Sequence, residues 1–334
     1  MHVAIRADGS SEMGYGHLFR SNSVATALIK KGSSVTYLTQ TPDQSASVCN
    51  DEVEIVPLKD GEPDTVASKL AEINADATFV DLPGAPFDLQ QAIQTVSPLA
   101  VYLGSAREKL FCDILINGHL FAEGESYEWI GSEPMWCLGA KYLPLREPFP
   151  EIATQEKACK KEPEGGLVLM GGSDPHNITP KVMRAFDPLD IEVSVIVGPG
   201  NIHHREIVQA ATELDPNFEV VQNPDDLPER MFEADIAVSG FGTTVYELMA
   251  SKTPFVGIAR NELEHEGATK IVQSTDINIP FFEKNVQQAQ LTSTLIELQN
   301  NNVRRAKLQS NFQNLINGQG AGQIAKKIQQ VVNE

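Results

Sequence analysis

His2-Val3-Ala4-Ile5-Arg6-Ala7, followed by Asp8-Gly9-Ser10, Gly14-Tyr15-Gly16-His17 and Arg20, reads as three consecutive pieces. A short apolar strand comes first, then a loop of glycine and small polar residues. Last is a helix whose Leu18, Val24, Ala25, Leu28 and Ile29 recur at the spacing of one inward face. A glycine loop between strand and helix lets a ligand approach the backbone closely, and a helix start offers unpaired N–H groups beside a positive dipole end. His17 falls in the first turn of that helix, where the dipole favours a neutral ring able to accept a proton. With Arg6, Asp8, Ser10 and Arg20 at the same junction, His17 is the candidate general base.

Outward from this junction the pattern repeats. Lys31-Gly32-Ser33 stops the helix, Ser34 to Thr39 alternates as a second strand, and Val53 to Leu58 and Ala77 to Val80 are further apolar runs. The stretch Asp64 to Asn74 between the last two is helical in its spacing. Strands alternating with helices in this way imply right-handed βαβ units and a parallel sheet, in which ligands gather at the carboxyl ends of strands. Asp81 stands at such an end, where it either orients His17 or a sugar hydroxyl, or caps the turn at Pro83-Gly84. Leu99 to Leu103, running into Gly104-Ser105, and Asp113 to Asn117 continue the series. Tyr142 and Phe149 then offer apolar anchors around Arg146, whose charge needs a partner.

Glu151 to Glu164 is charged, lacks regular apolar spacing and carries Pro163, so it reads as a linker between a first domain, 1–150, and a second, 165–334. The second domain opens with the strand Leu167 to Met170 and a glycine loop containing Gly171, Gly172, Ser173 and Asp174. Ser173, Asp174 or Asn177 could cap the helix that follows. Ile191 to Val197 and Phe218 to Val221 are further strands, and Asp225-Asp226 reads as a helix cap. Ala234 to Ser239 then runs into Gly240-Phe241-Gly242-Thr243-Thr244. Backbone N–H groups and hydroxyls of Gly242, Thr243 and Thr244 after Ser239 suit a diphosphate, and Glu247, one turn later, suits ribose hydroxyls. Thr253 to Ile258 is another strand, followed by Asn261 and Glu262. Three helical stretches close the chain, Val286 to Leu298, Val303 to Ile316 and Ala321 to Val332. The last is a candidate strap back to the first domain.

Composition narrows the classes of partner. The chain has 334 residues, 41% hydrophobic, which suits two α/β domains each with its own interior. Lys plus Arg total 26 against 45 Asp plus Glu, and the net charge of -19 would repel nucleic acid and anionic membrane surfaces. The acidic excess is spread along the chain and reads as a solvated surface. No apolar run reaches membrane-spanning length and the first residues enter a strand directly, so a soluble, cytoplasmic protein is expected. Cys49, Cys112, Cys137 and Cys159 form no metal-binding or redox pair and are expected to be reduced thiols. Neither metal nor cofactor is expected, and no residue pattern fixes an oligomeric state.

Arg6-Ala7-Asp8-Gly9 with Gly14-Tyr15-Gly16-His17 and Arg20 resembles the signature of the hydrolases that split UDP from a 2,4-diacetamido-2,4,6-trideoxyhexose in pseudaminic acid synthesis, relatives of the glycosyltransferase MurG. Gly139 to Phe149, Gly171 to Thr179 and Ser239 to Glu247 resemble further motifs of that family, in the family's order. The resemblance implies a GT-B architecture, two Rossmann-like domains with parallel sheets facing across a cleft. It also implies metal-independent hydrolysis of a UDP-sugar. His17 would then activate water, assisted by Asp8 and Asp81. Arg6, Gly14, Gly16, Arg20, Gly172, Ser173, Asp174, Ser239, Gly242, Thr243, Thr244, Glu247 and Asn261 would contact the substrate. Two stretches depart from the family pattern. Leu82 to Phe87 lacks its tyrosine and aromatic-acid pair, and Glu262 stands for its glutamine, so the identity of the sugar stays open. The alternatives are a MurG-like glycosyltransferase and a noncatalytic nucleotide-sugar-binding protein.

Overall fold

A computed structural model of the chain describes residues 1–10, 13–104, 109–214, 217–275, 278–282 and 285–333. Ser105, at the end of one expected strand turn, lies outside them. The chain forms two compact units, Met1–Glu147 with Gly318–Glu334, and Pro148–Asn317.

The strands of the first unit are β1 (His2–Ala7), β2 (Ser34–Thr39), β3 (Glu54–Pro57), β4 (Ala77–Asp81), β5 (Leu99–Tyr102), β6 (Lys109–Leu110), β7 (Ile114–Asn117), β8 (Glu128–Trp129) and β9 (Met135–Leu138). Seven of them form a parallel sheet in the order β3-β2-β1-β4-β5-β7-β9, while β6 and β8 pair separately. The sheet is buried on both faces because successive side chains of a strand point to opposite sides. Val3, Ile5 and Ala7 join one core with Leu18, Val24, Ala25 and Leu28 of the helix Gly16–Lys30 and Ile324, Ala325 and Ile328 of the helix Gly320–Asn333. Ala4 faces the other core, with Val66, Leu70, Leu89 and Ile93. The chain's last helix therefore covers the sheet on which the first strand lies. Its start allows little room, because a Cβ added to Gly320 would stand 2.0 Å from the carbonyl oxygen of Leu143. Gly320→Ala is expected to destabilise this unit by about 2–3 kcal/mol, measurable by chemical denaturation; unchanged stability would show that the helix docks with slack.

The second unit contains β10 (Gly165–Leu169), β11 (Glu192–Val197), β12 (Phe218–Gln222), β13 (Ile236–Gly240), β14 (Phe255–Ala259) and β15 (Asn278–Phe282). They are parallel in the order β12-β11-β10-β13-β14-β15. In both sheets the first strand of the unit runs beside its second on one side and its fourth on the other. That reversal opens a crevice at the carboxyl ends, between β1 and β4 and between β10 and β13.

The structure adds to the sequence reading in three places. Residues 151–164, expected as a linker, are held against the second unit. Lys157 Nζ donates to Ala234 O and Thr253 Oγ1 at 2.7 and 2.6 Å, and Arg305 Nη2 donates to the carbonyls of Lys160 and Lys161. Lys157 and Lys160 have partners within that unit, while Glu151, Glu156, Lys161 and Glu162 are exposed. Asp226 stands before the helix Leu227–Glu233 without capping it through its side chain, and its carboxylate pairs with Arg230 at 2.9 Å instead. Strands β6, β8, β9 and β15 lie outside the runs expected as strands.

Candidate active site

Asp81 is the last residue of β4 and lies beside Ala7 in register, so the strand delivers its carboxylate to the crevice next to the loop that follows β1. The helix Gly16–Lys30 starts at that loop, and its inward positions Leu18, Ser21, Val24, Ala25 and Leu28 fix its rotation. That rotation carries His17 and Arg20, one turn apart, onto Asp81. His17 Nδ1 lies 2.6 Å from Asp81 Oδ1, and Arg20 grips both carboxylate oxygens, Nε to Oδ2 at 3.0 Å and Nη2 to Oδ1 at 2.8 Å. Arg20 Nη2 also comes within 3.0 Å of His17 Nδ1. An ionised carboxylate only accepts, so Nδ1 carries the proton and donates it to Asp81, and the guanidinium directs its hydrogens to the carboxylate. Both contacts use Nδ1, which leaves Nε2 as the basic nitrogen. The arrangement is the carboxylate-oriented imidazole found in acyl-transfer triads.

The side chain of Asp81 is 1% exposed. Burial works to raise its pKa, but the charge of Arg20 and the hydrogen bonds from His17 and Arg20 together outweigh it and hold the carboxyl below the ordinary value of 3.8. Arg20 itself lies over the Tyr102 ring at 4.8 Å. Asp81 thus contacts the imidazole and the guanidinium together. His119, just past β7, has its pKa pushed down to about 4 by burial and then by the charge of Arg20, and its ring stacks on Phe121. No motif singled out His119; its place after a strand's carboxyl end was the available signal.

Arg6 and Asp8 belong to a second cluster. They are two residues apart, Arg6 within β1 and Asp8 just beyond its end, both buried, and paired at 2.6 Å. Asp8 Oδ1 accepts from Thr39 Oγ1 and Gln40 N, and Arg6 Nη2 donates to Gln40 Oε1. Burial works to raise the Asp8 pKa, and Arg6 with these hydrogen bonds lowers it. The pair ties β1 to the end of β2 beneath the loop, and Gly14 and Gly16 shape the loop above it, with Gly14 at a φ of 87°.

Stability should respond to acid in two stages. His119 binds no proton in the fold until about pH 4 but binds one near 6.5 when unfolded, so stability declines as pH falls between those values. Asp81 and Asp8 contribute stability that is complete above 3.8 and lost below it, as pH falls through their depressed native values. Denaturation midpoints between pH 7 and 3 should show both, and His119→Gln should remove the first stage and keep the second. A flat response down to pH 4 in the native chain would contradict the assignment.

In the second unit the crevice lies between the loops after β10 and β13, where Leu169 stands beside Ser239 in register. Asp174 is buried and spends both oxygens on the helix Thr179–Phe186 and its approach, accepting from Ile178 N, Thr179 N and Thr179 Oγ1. None of the three residues named as caps holds the N-cap position, which is Ile178, and Asp174 instead receives the N–H groups of Ile178 and Thr179 from farther upstream. Gly172 is exposed and Ser173 partly so, and the carbonyl of Gly172 accepts from Gly200 N at 2.9 Å. Ser239 is fully buried, its hydroxyl donating to the carbonyl of Gly240, whereas Thr243 is exposed and Gly242, Thr244 and Glu247 are partly exposed. Asn261 caps the helix Glu262–Thr275 by accepting from Glu264 N at 2.9 Å. Arg260, which sequence reasoning passed over, lies across this crevice. The nitrogens of its guanidinium would be 2.9 and 3.3 Å from a Cβ placed on Gly171 and on Gly242.

Among the described residues no group of three or more His, Cys, Asp or Glu is placed to hold a metal ion, and no helix is long and apolar enough to cross a membrane. A hollow of about 710 Å³ in the first unit, lined by Phe111, Asp113, Glu133, Met135 and Val331 among others, opens at the amino ends of β7 and β9, away from the His17 cluster.

No family model matches the sequence. An uncharacterized protein of Methanocaldococcus jannaschii is 25% identical over 80% of this chain, which spans only 57% of that protein's length. The spore coat polysaccharide biosynthesis protein SpsG of Bacillus subtilis is 26% identical over 80% of both chains. The UDP-2,4-diacetamido-2,4,6-trideoxy-beta-L-altropyranose hydrolase of Campylobacter jejuni is 22% identical over 80% of this chain and 95% of its own. Among solved structures, MurG of Acinetobacter baumannii superposes with a TM-score of 0.73 over 98% of this chain and 99% of its own at 14% identity. A calicheamicin glycosyltransferase reaches 0.68 over 99% and 98% at 14% identity. The homologues of this chain thus include a UDP-diacetamido-trideoxyaltropyranose hydrolase and SpsG, and its fold is the GT-B fold of MurG-type glycosyltransferases.

Proposed function

We propose that the protein hydrolyses a UDP-linked acetamido or diacetamido deoxyhexose to UDP and free sugar, in nonulosonic acid or other surface-glycan biosynthesis, with His17 as general base. The observation that carries this reading is the His17–Asp81 contact, which presents Nε2 as the basic nitrogen. Water would give a proton to Nε2 as its oxygen attacks the anomeric carbon. The bond from that carbon to the diphosphate oxygen breaks, and UDP leaves with the electron pair. Asp81 stabilises the imidazolium that forms. Arg20 is a positioning residue through Asp81, and Arg6 and Asp8 hold the loop from below. In the second unit Gly172, Ser173, Gly242, Thr243 and Thr244 are assigned to the nucleotide, Glu247 to its ribose and Asn261 to the sugar. Ser239 and Asp174 support those loops. The relatives' printed functions, a UDP-sugar hydrolase and a polysaccharide biosynthesis protein, support the same substrate class.

A glycosyltransferase is the second reading, favoured by the calicheamicin glycosyltransferase among the structural neighbours. The same base would then deprotonate an acceptor hydroxyl. Incubation with a UDP-diacetamido-trideoxyhexose and no acceptor decides: release of UDP with free sugar supports hydrolysis. Turnover that waits for an acceptor supports transfer, and saturable binding without turnover rejects both in favour of a binding protein.

A further inference from the structure

Arg260 follows β14 directly, and its side chain turns back over the two loops of the crevice. Nη1 would stand 2.9 Å from a Cβ at Gly171, Nη2 3.3 Å from one at Gly242, and Nε 3.7 Å from one at Gly240. Any side chain at Gly171 would displace the guanidinium, and the φ of 81° there disfavours a side chain in any case. Two loops are thus bare of side chains where one cation lies.

That cation is held by Glu264. Arg260 Nε donates to both carboxylate oxygens at 3.1 and 3.2 Å and Nη2 to Oε1 at 2.5 Å, while the backbone N of Arg260 donates to Oε2 at 2.8 Å. The two side chains are 28% and 15% exposed. Among the described residues Nη1 has no acceptor. A guanidinium fork takes a phosphate in the geometry in which it takes a carboxylate, the Nε–Nη2 edge cannot hold both, and a phosphate reaching Nη1 and Nη2 meets the like charge of Glu264 across the same guanidinium. The crevice between β10 and β13 is the place in this topology where an anionic ligand meets the sheet.

We propose that Arg260 takes the diphosphate charge of the bound nucleotide, and that Glu264 fills that place on Arg260 in the free protein as an internal carboxylate which the diphosphate displaces. The inference rests on the nucleotide-sugar reading and adds to it a device that sets affinity. The free protein keeps its cation ordered and neutralised, and a ligand binds with its intrinsic affinity reduced by the population of the closed pair. A nucleoside diphosphate meets the arginine, whereas a nucleoside does not.

Calorimetric titration of the full chain with UDP, and separately with uridine and inorganic pyrophosphate, tests this. Glu264→Gln should bind UDP about fivefold or more tightly than the native chain, the lower range of measured site couplings. Arg260→Gln should bind UDP about tenfold or more weakly, the loss for one charged hydrogen-bonded partner. Uridine binding should be the same in all three, pyrophosphate should follow UDP, and the double variant should match Arg260→Gln. Glu264 also supports the helix start, so circular dichroism must show each variant folded, and Arg260→Gln, which leaves that carboxylate in place, stands as the independent arm. Weaker or unchanged UDP binding by folded Glu264→Gln, or native UDP affinity in Arg260→Gln, overturns the inference. Failure of the native chain to bind UDP overturns the nucleotide reading itself, a different result from UDP binding that ignores both substitutions.

Discussion

Replacing His17 with alanine is expected to lower turnover of a UDP-sugar by about 10²- to 10⁴-fold, the range for losing a positioned general base, with UDP affinity nearly unchanged. The division follows from placement. The imidazole belongs to the first unit, and the residues assigned to the nucleotide belong to the second. The substitution should also be tolerated by the fold, because the ring is 21% exposed and its loss leaves the Arg20–Asp81 pair intact. A stability change within about 1 kcal/mol is expected. The loss should therefore appear in kcat, with melting temperature and UDP binding serving as controls. A variant that kept its rate and lost its affinity would move His17 out of the chemistry and into binding.

Much of the fold is legible in the residues because each strand of a doubly covered sheet must be apolar on both sides, and each crossover helix must keep one apolar face. His2 to Ala7, Ser34 to Thr39 and the run ending at Val197 meet that demand and are strands at nearly the residues expected. Met135–Leu138 escaped because two of its four residues are an aromatic and a cysteine at a sheet edge, where burial asks less of the pattern. The charged stretch after Ile152 is legible only in part, because the partners of its buried charge lie far along the chain. Lys157 looks solvated in a string of letters, yet its amine ends on a carbonyl and a threonine, whereas Lys160 stays 45% exposed between Glu164 and Asp235.

The site was legible by position and illegible by partnership. Asp81 stood out because it closes a strand, and His17 because it opens a helix, but their meeting across 64 residues depends on strand order. Arg6 and Asp8 looked like ligand contacts because they flank the glycine loop. Arg6 lies within β1 and Asp8 just beyond its end, two residues on, where they meet each other and the end of β2. Arg260 had no motif to mark it. Its significance comes from where two other loops lack side chains, which no local reading around residue 260 contains.

Asp81→Asn is expected to be the most damaging single exchange in the first unit, because it strikes stability and rate through separate causes. Asp81 is buried and balances Arg20, whose side chain is only 15% exposed. Leaving that guanidinium without its carboxylate should cost about 3 kcal/mol, the low end for a broken buried pair, since Arg20 keeps some access to water. For a unit of this size that lowers its melting temperature by roughly 6–12 °C. The rate falls for a different reason. Arg20 Nη2 and His17 Nδ1 share Oδ1, so the amide oxygen takes that place and the amide nitrogen is left facing Arg20 Nε, one donor against another. The neutral amide stabilises the imidazolium formed when Nε2, the atom proposed to act as base, takes its proton far less than the carboxylate does, and turnover should drop about 10²- to 10⁴-fold, the range for disabling a general base. The two causes separate experimentally. At a temperature where the variant is fully folded the rate loss should persist, and combining Asp81→Asn with His17→Ala should reduce kcat no further than His17→Ala does. A folded Asp81→Asn chain with native kcat, or a double variant whose losses multiply, would remove Asp81 from the catalytic arrangement and leave it a structural counterion to Arg20.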